Sequence, residues 1–313
     1  MNLVFMGTPA FAVPSLRALL ADGHRVAGVF TQPDKPCGRG YAVAFSPVKE
    51  LALTHGIPVF QPETFRAGAA TETLRALAPD LIAVVAYGRI LPRAALEIPP
   101  VGCINLHASL LPKYRGAAPI QWAVTNGEAE TGVTTMHMAP ALDSGDIIYA
   151  ESLSIGPDET AAALQERLMV LGASLLSRTV RAFADGVAPR TPQNDAEASF
   201  APLLCREDGR IDWRADARQV CCLVRGMQPW PLAHTAPEHW KIYAARETGR
   251  RKEGAPGTVV AVGPGGLEVL CGDGYTVLIT ELQAKGGRRM AAADYARGHA
   301  MPRSLLAGEE NGR

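Results

Sequence analysis

Two short stretches hold the residues of this chain best suited to chemistry. In GCINLHASLLPKYRGAAPIQ (102–121), Asn105 and His107 stand two apart inside an apolar run; in ALDSGDII (141–148), Asp143 sits in a turn just ahead of another. Successive side chains on a strand point to opposite faces, so Asn105 and His107 would share one face while Ile104 and Leu106 share the other. An amide and an imidazole together at a strand end can both donate hydrogen bonds to an oxygen acquiring negative charge, which suits a tetrahedral intermediate at a carbonyl carbon. A carboxylate beside His107 would fix the imidazole and favour its charged form, and Asp143 is the candidate. Asp146 is the rival, but its place at a strand start suits a capping or structural role. Taken alone, the same residues also fit a histidine satisfied by a nearby carbonyl and an asparagine closing a turn. The apolar, proline- and glycine-containing SLLPKYRGAAPIQ favours the chemical reading, because it is a poor solvated connection and a good pocket wall.

Those residues need a scaffold, and the first half of the chain reads as one. NLVFMG (2–7), RVAGVFT (25–31), DLIAVVAYG (80–88) and GCINLH (102–107) are short runs with both faces apolar, separated by helical patterns such as SLRALLADG and SPVKELALTHG. Runs of that kind predict a parallel sheet covered on both sides, a doubly wound α/β domain in which ligands bind beyond the carboxyl ends of the strands. TGVTTMHM (131–138) and DIIYAESLSI (146–155) read as two further strands. A long helix follows, with Asp158 expected as its cap and Gly186 as its stop. From Val187 to about Leu203 the periodicity disappears. The expected division is a catalytic domain at 1–186, a linker at 187–204 and a second domain at 205–313. The second domain opens with a short helix, ADARQVCCLVRGM. Close-set strands with Gly-rich turns follow (HWKIYAARET, GTVVAVGPGG, LEVLCGDG, YTVLITELQ), which predicts a small antiparallel, OB-like β-barrel.

Composition narrows the function classes. With 47% apolar and 20% charged residues in 313, the chain has the material for packed domains, and its longest clean apolar run, Leu81 to Tyr87, is too short to cross a bilayer. The N-terminus reads as a first strand and not as a signal peptide, so a cytoplasmic protein is expected. Six cysteines carry no CxxC pair and no zinc spacing, so reduced structural thiols and no metal are expected. Lys plus Arg equals Asp plus Glu at 31 each, which gives overall charge no voice on a nucleic-acid partner. From Lys241 to Arg303, however, ten Lys and Arg face six Asp and Glu. Solvated basic loops account for that surplus as well as a binding surface does. No heptad or apolar edge appears, so a monomer is expected.

INLHASLLPKYRGAAPIQW followed by TGVTTMHMAPALDSGDI resembles the folate-dependent formyltransferase family, in which an Asn, a His and an Asp act together to move a formyl group from 10-formyltetrahydrofolate to an amine. The resemblance implies that Asn105, His107 and Asp143 are the catalytic trio. It also implies that Ser109, Leu110, Leu111 and Pro112 line the folate site, with Tyr87 and Ile90 of VVAYGRILP in the wall against which the pterin lies. MGTPAFAVPSL, TQPDKPCGRG, DGRIDW, QPWP and ITELQAKGGRRM resemble the branch of the family that formylates methionine carried by initiator tRNA. By that likeness TQPDKPCGRG is a loop entering the acceptor end, with Lys35 and Arg39 on phosphates, and the C-terminal barrel holds the tRNA backbone through Arg250, Arg251, Lys285 and Arg288. The chain departs from the family pattern at Tyr41–Ala44, where lysines are frequent, and at Ala139–Ala141, where an acidic residue and a glycine usually precede the aspartate. Alternatives are formylation of an amino sugar on a nucleotide, hydrolysis of the formyl folate to formate, and a non-catalytic RNA-binding module.

Overall fold

In this computed structural model the described residues are 1–37, 42–65, 68–236 and 238–306, and they form two compact units. The first comprises Met1–Gly116, Glu130–Leu153 and Gln165–Ala201. Its sheet has seven strands: β1 (Asn2–Gly7), β2 (Arg25–Phe30), β3 (Val59–Phe60), β4 (Leu81–Val85), β5 (Gly102–His107), β6 (Glu130–His137) and β7 (Ile147–Ser154). Their order is β7-β6-β5-β4-β1-β2-β3. The pairs from β5 through β4 and β1 to β3 are parallel, and β6 runs antiparallel to β5. The chain winds outward from β1 in one direction and then restarts at β4 on its other side, so a switch point lies between these two strands. This is the doubly wound, mostly parallel sheet that the alternating pattern predicts.

One face of the sheet carries a core of Val4, Met6, Phe30, Phe65, Leu74, Ile82, Val84, Tyr87 and Cys103. The register places Ile82 beside Cys103 and Val84 beside Asn105, so Asn105 and His107 continue this face where the apolar core gives out. The opposite face of β5 is covered by α5 (Ala161–Ala184). There Gly172 lets the helix approach Leu106, since a Cβ at that glycine would lie 2.8 Å from Leu106 Cδ2. The pocket side of β5 is thus left to the two polar residues.

Earlier helices include α1 (Val13–Ala21), α2 (Pro47–Thr54), α3 (Ala69–Ala76) and, within a segment of the second unit, α4 (Pro119–Thr125). In α2 the Ser46 hydroxyl accepts from Lys49 N–H at 3.2 Å, with proline in the first turn. The cap of α5 is Thr160 and not Asp158: Ala163 N–H donates to Thr160 Oγ1 at 3.2 Å. The expected stop is present, with Gly186 at φ +69° and Val187 N–H on Ala182 O at 2.9 Å, a Schellman ending. Strand β3 and helix α3 lie outside the expected elements; β3 is two residues long and α3 eight, with Ala70, Thr71 and Leu74 on its buried face.

The second unit comprises Ala117–Ala129, Ser154–Leu164 and the residues from Pro202 onward. A capping box at Asp216 and Gln219 starts α6 (Ala217–Gly226). Strands β8 (Ala233–His234), β9 (Lys241–Arg251), β10 (Val259–Gly263), β11 (Gly266–Leu270), β12 (Tyr275–Gln283) and β13 (Met290–Ala291) form an antiparallel sheet of order β8-β9-β12-β11-β10, with β13 on β12. Trp213, Val220, Trp240, Ile242, Val269, Val277 and Ile279 fill its core. This is the small antiparallel β unit expected. Among the described residues no helix is long and apolar enough to cross a membrane.

Candidate active site

Asn105, His107 and Asp143 all belong to the first unit. His107 ends β5, is 6% exposed, and its Nε2 lies 2.9 Å from the backbone carbonyl of Tyr114. A carbonyl only accepts, so Nε2 carries a proton and donates. Nδ1 then faces Asp143 Oδ2 across 3.7 Å. That gap is just too long for a direct hydrogen bond and short enough for a strong charge interaction. Asp143 is held in turn by Gly116 N–H, which donates to Oδ2 at 2.9 Å. Asp143 itself sits at φ +47°, a left-handed conformation that an aspartate tolerates better than most residues and that turns its carboxylate toward the histidine. Asn105 is half-buried, and its side chain makes no hydrogen bond among the described residues. An amide donor without a protein partner, on the histidine's face of the strand, is suited to an oxygen brought by a ligand.

Sequence reasoning identified the three side chains but not the backbone that holds two of them. Tyr114 at φ +60° and Gly116 at φ +126° flank Arg115, so one sharply turned segment supplies both the carbonyl on His107 and the N–H on Asp143. Backbone groups leave no residue-type signature; the only hint is the glycine in KYRG. The loop is braced from β6 by Thr134, whose fully buried hydroxyl donates to Ser109 O at 2.7 Å and accepts from Leu111 N–H at 3.2 Å. Asp146 is engaged elsewhere, with its carboxylate 2.5 Å from Arg190 Nε.

The residues named for folate fall into two groups. Ser109 is fully buried and its hydroxyl donates to Lys113 O at 2.6 Å, Leu111 is buried, and Leu110 and Pro112 lie along the same loop. Tyr87 is 2% exposed with its ring in the core, where burial pushes the phenol up to about 12 and leaves its hydroxyl without a partner among the described residues. What Tyr87 offers outward is its backbone: its carbonyl accepts from Thr8 Oγ1 and from Gln32 Nε2, each at 3.1 Å, at the switch point between β1 and β4. Ile90, by contrast, is 90% exposed.

Among the residues named for tRNA, Arg39 lies outside the described residues and Lys35 is exposed in a short ribbon, Lys35–Cys37 against Ala42–Ala44. Behind the ribbon, Lys49 and Gln61 Nε2 donate to Asp34 and hold its carboxyl below the usual range. In the second unit Lys285 and Arg288 are exposed, Arg251 lies over the Tyr275 ring at 5.3 Å, and Arg250 is paired to the buried Glu268 at 3.1 Å, which neutralises much of its charge. Among the described residues, no three His, Cys, Asp or Glu side chains are grouped to hold a metal ion.

The sequence profile of the formyl transferases matches residues 1–180, and that of the formyl transferase C-terminal domain matches residues 204–300. The chain belongs to the formyl transferase family. Formyl transferases similar to it include a methionyl-tRNA formyltransferase of Pelobacter propionicus, 48% identical over 307 residues, covering 98% of this chain and 96% of the relative. One of Moorella thermoacetica is 51% identical over 303 residues, covering 96% and 97%. Among solved structures, the sugar 3N-formyl transferase WlaRD, crystallised with dTDP and 5-N-formyl-THF, matches with a TM-score of 0.70 at 17% identity, covering 92% of this chain and 99% of that one. The N-formyltransferase of Helicobacter canadensis in complex with folinic acid and dTDP-3-aminofucose matches with a TM-score of 0.70 at 18% identity, covering 90% and 99%. At such identities the structural likeness speaks for the fold alone.

Proposed function

We propose that this protein transfers the formyl group of 10-formyltetrahydrofolate to the α-amino group of methionine esterified to initiator tRNA, as a cytoplasmic step of translation initiation, with residues 1–186 catalytic and 205–313 holding the tRNA. The observation that carries the reaction type is the His107 imidazole facing the Asp143 carboxylate at the end of β5, with Nδ1 and Oδ2 3.7 Å apart and Asn105 on the same face of the strand. The choice of acceptor is supported by relatives such as those of Pelobacter and Moorella, 48% and 51% identical over nearly the whole chain and named for methionyl-tRNA.

The bound folate supplies an electrophilic formyl carbon. An α-amino group titrates near pH ~8, so a useful fraction is neutral at cellular pH and no strong base is needed to start. As the amine adds, Asn105 donates to the formyl oxygen and His107 lends positive charge to the same side. A water lying beside the Nδ1 to Oδ2 gap and bonded to Asp143 carries the amine's surplus proton to that carboxylate and on to the departing N10. The new C–N bond to methionine forms, the bond to N10 breaks, and the proton lost by one nitrogen is gained by the other. Tyr114 O and Gly116 N–H keep both participants still, so little reorganisation is left for the reaction itself. Ser109, Leu110, Leu111 and Pro112 wall the folate. The backbone at Tyr87 and the exposed Ile90 lie on its pterin side, and the 32–45 segment with Lys35 and Arg39 meets the acceptor end.

The test is incubation of purified protein with radiolabelled formyl donor and charged initiator tRNA. Label on methionine is expected. Free formate without any amine acceptor would make the protein a hydrolase. Transfer to a nucleotide-linked amino sugar that survives deletion of residues 32–45 would make it a sugar formyltransferase.

A further inference from the structure

We propose that Gln193 is a positioning residue for formyl transfer, its amide clamping the turn that carries Asp143 to the loop that holds His107 and so setting the gap beside which the proton moves; this rests on the roles given to His107 and Asp143 above. Gln193 lies in TPQND, within the stretch that the sequence presents as linker, and neither composition nor spacing marks it. Its amide has two N–H donors and two acceptor lone pairs. All four are used. Nε2 donates to the backbone carbonyls of Asp143 at 2.9 Å and Gly145 at 2.7 Å, and Oε1 accepts from Arg115 Nε at 3.1 Å and Nη2 at 2.7 Å. The orientation is forced, because arginine has nothing to accept with and the two carbonyls nothing to donate.

Arg115 is 6% exposed, and its Nη2 also reaches Asp195 Oδ1 at 2.7 Å. Its two neighbours in sequence supply the carbonyl on His107 Nε2 and the N–H on Asp143 Oδ2. The clamp therefore spans both sides of the 3.7 Å gap. On one side Gln193 grips the Asp143 turn by its carbonyls; on the other it grips the residue between the two groups that orient the pair.

The segment bearing Gln193 is itself fixed to the first unit at both ends. Thr191 exchanges backbone hydrogen bonds with Ile147 at 2.8 and 2.9 Å. Ser199 accepts Arg115 N–H through its carbonyl at 2.8 Å and Tyr114 N–H through its hydroxyl at 2.9 Å. Phe200–Ala201 then runs parallel to Arg115–Gly116. Gln193 touches no reacting atom here. It acts on the reaction only by fixing where Asp143 stands relative to His107, and a misplacement of that kind costs rate, not substrate affinity.

The test is Gln193→Glu in the full-length protein. The substitution keeps the side chain's size and its acceptor toward Arg115, but turns two N–H donors into lone pairs facing two carbonyl oxygens. We expect kcat to fall about 10- to 100-fold, with KM for charged tRNA and for the formyl donor each within about threefold of wild type, and with folate binding by titration unchanged. A kcat within threefold of wild type would overturn the proposal. So would a loss confined to KM, or one matched by an equal fall in the folded fraction on melting, because each describes a brace for the fold and not for the reaction. If Gln193→Glu does not fold, Gln193→Met, apolar and of similar length, is measured in the same way, and the same outcomes decide. Failure of the wild-type protein to formylate methionyl-tRNA would instead defeat the functional reading, a result visible before any variant is compared.

Discussion

Gly116→Ala is the most searching test of the idea that one turned segment organises the site. Gly116 sits at φ +126°, where an L side chain is strained, and a Cβ there would lie 2.5 Å from the backbone oxygen of Ala201. Carbon and oxygen rest no closer than roughly 3.3 Å, so the two backbones must part by about 0.8 Å or the residue must leave its conformation. Backbone strain of this kind costs about 1 to 3 kcal/mol. The larger effect is on position, because the displaced atom belongs to the residue whose N–H holds Asp143 Oδ2 at 2.9 Å. A shift of that size either stretches the bond past its useful range or drags the carboxylate away from His107, and misplacement of about 1 Å costs on the order of 100-fold in rate. Kinetics at saturating tRNA and formyl donor, run beside a thermal melt, give the answer. We expect a folded variant with a lowered melting temperature and kcat down about 10- to 100-fold. A variant as stable as wild type with full kcat would refute the reasoning, since neither the strain nor the transmitted shift could then exist.

Other outcomes follow from single contacts. Asn105→Ala should remove about 100- to 1,000-fold of kcat while leaving the melting temperature unchanged, because the amide has no protein partner among the described residues to lose; a rate within threefold of wild type would remove Asn105 from the chemistry. Thr134→Val strands a buried carbonyl and a buried N–H at Ser109 and Leu111, so urea unfolding should show a loss of about 2 to 5 kcal/mol, and a change below about 0.5 kcal/mol would mean that the loop finds other partners. Burial pushes the thiols of Cys103, Cys221 and Cys271 from 9.0 up to about 12, while Cys205 is exposed. Maleimide at pH 8 should therefore label Cys205 and spare those three until the protein is denatured. The sign for stability follows from the same shifts: above pH 9 the unfolded chain ionises these thiols and the folded chain does not, so stability falls as pH rises from about 9 toward about 12, by about 1 kcal/mol per thiol at pH 10. A melting temperature flat across that window, after Cys103→Ala as control, would contradict it.

The legible part of this protein is the part written in side-chain types. The β1, β2, β4 and β5 runs are apolar on both faces, and only a strand buried on both sides needs that, so the parallel sheet could be read directly. Asn105 and His107 stood out because polar residues interrupting such a run need a reason. What stayed hidden was held by backbone. The Tyr114 carbonyl, the Gly116 N–H and the carbonyls that Gln193 grips exist in every residue, and only the folded path says which of them converge. Tyr87 belongs to the legible part: it closes the apolar run that reads as a core strand, its ring completes the core, and its main chain faces the switch point. Thr160 in place of Asp158 as helix cap is a local version of the same limit, because several residues before α5 have suitable side chains and the geometry of the first turn chooses among them.

The pairing of Phe200–Ala201 with Arg115–Gly116 has a consequence for anyone recombining this enzyme. The two profile matches end at residue 180 and begin at residue 204, which invites a splice anywhere between them. Yet Thr191, Gln193 and Ser199 are stitched to the first unit, while Ala117–Ala129 and Ser154–Leu164 belong to the second. A chimera joined at 186 would inherit a foreign strap over the Asp143 turn and the Arg115 segment, whereas one joined after 201 would carry its own.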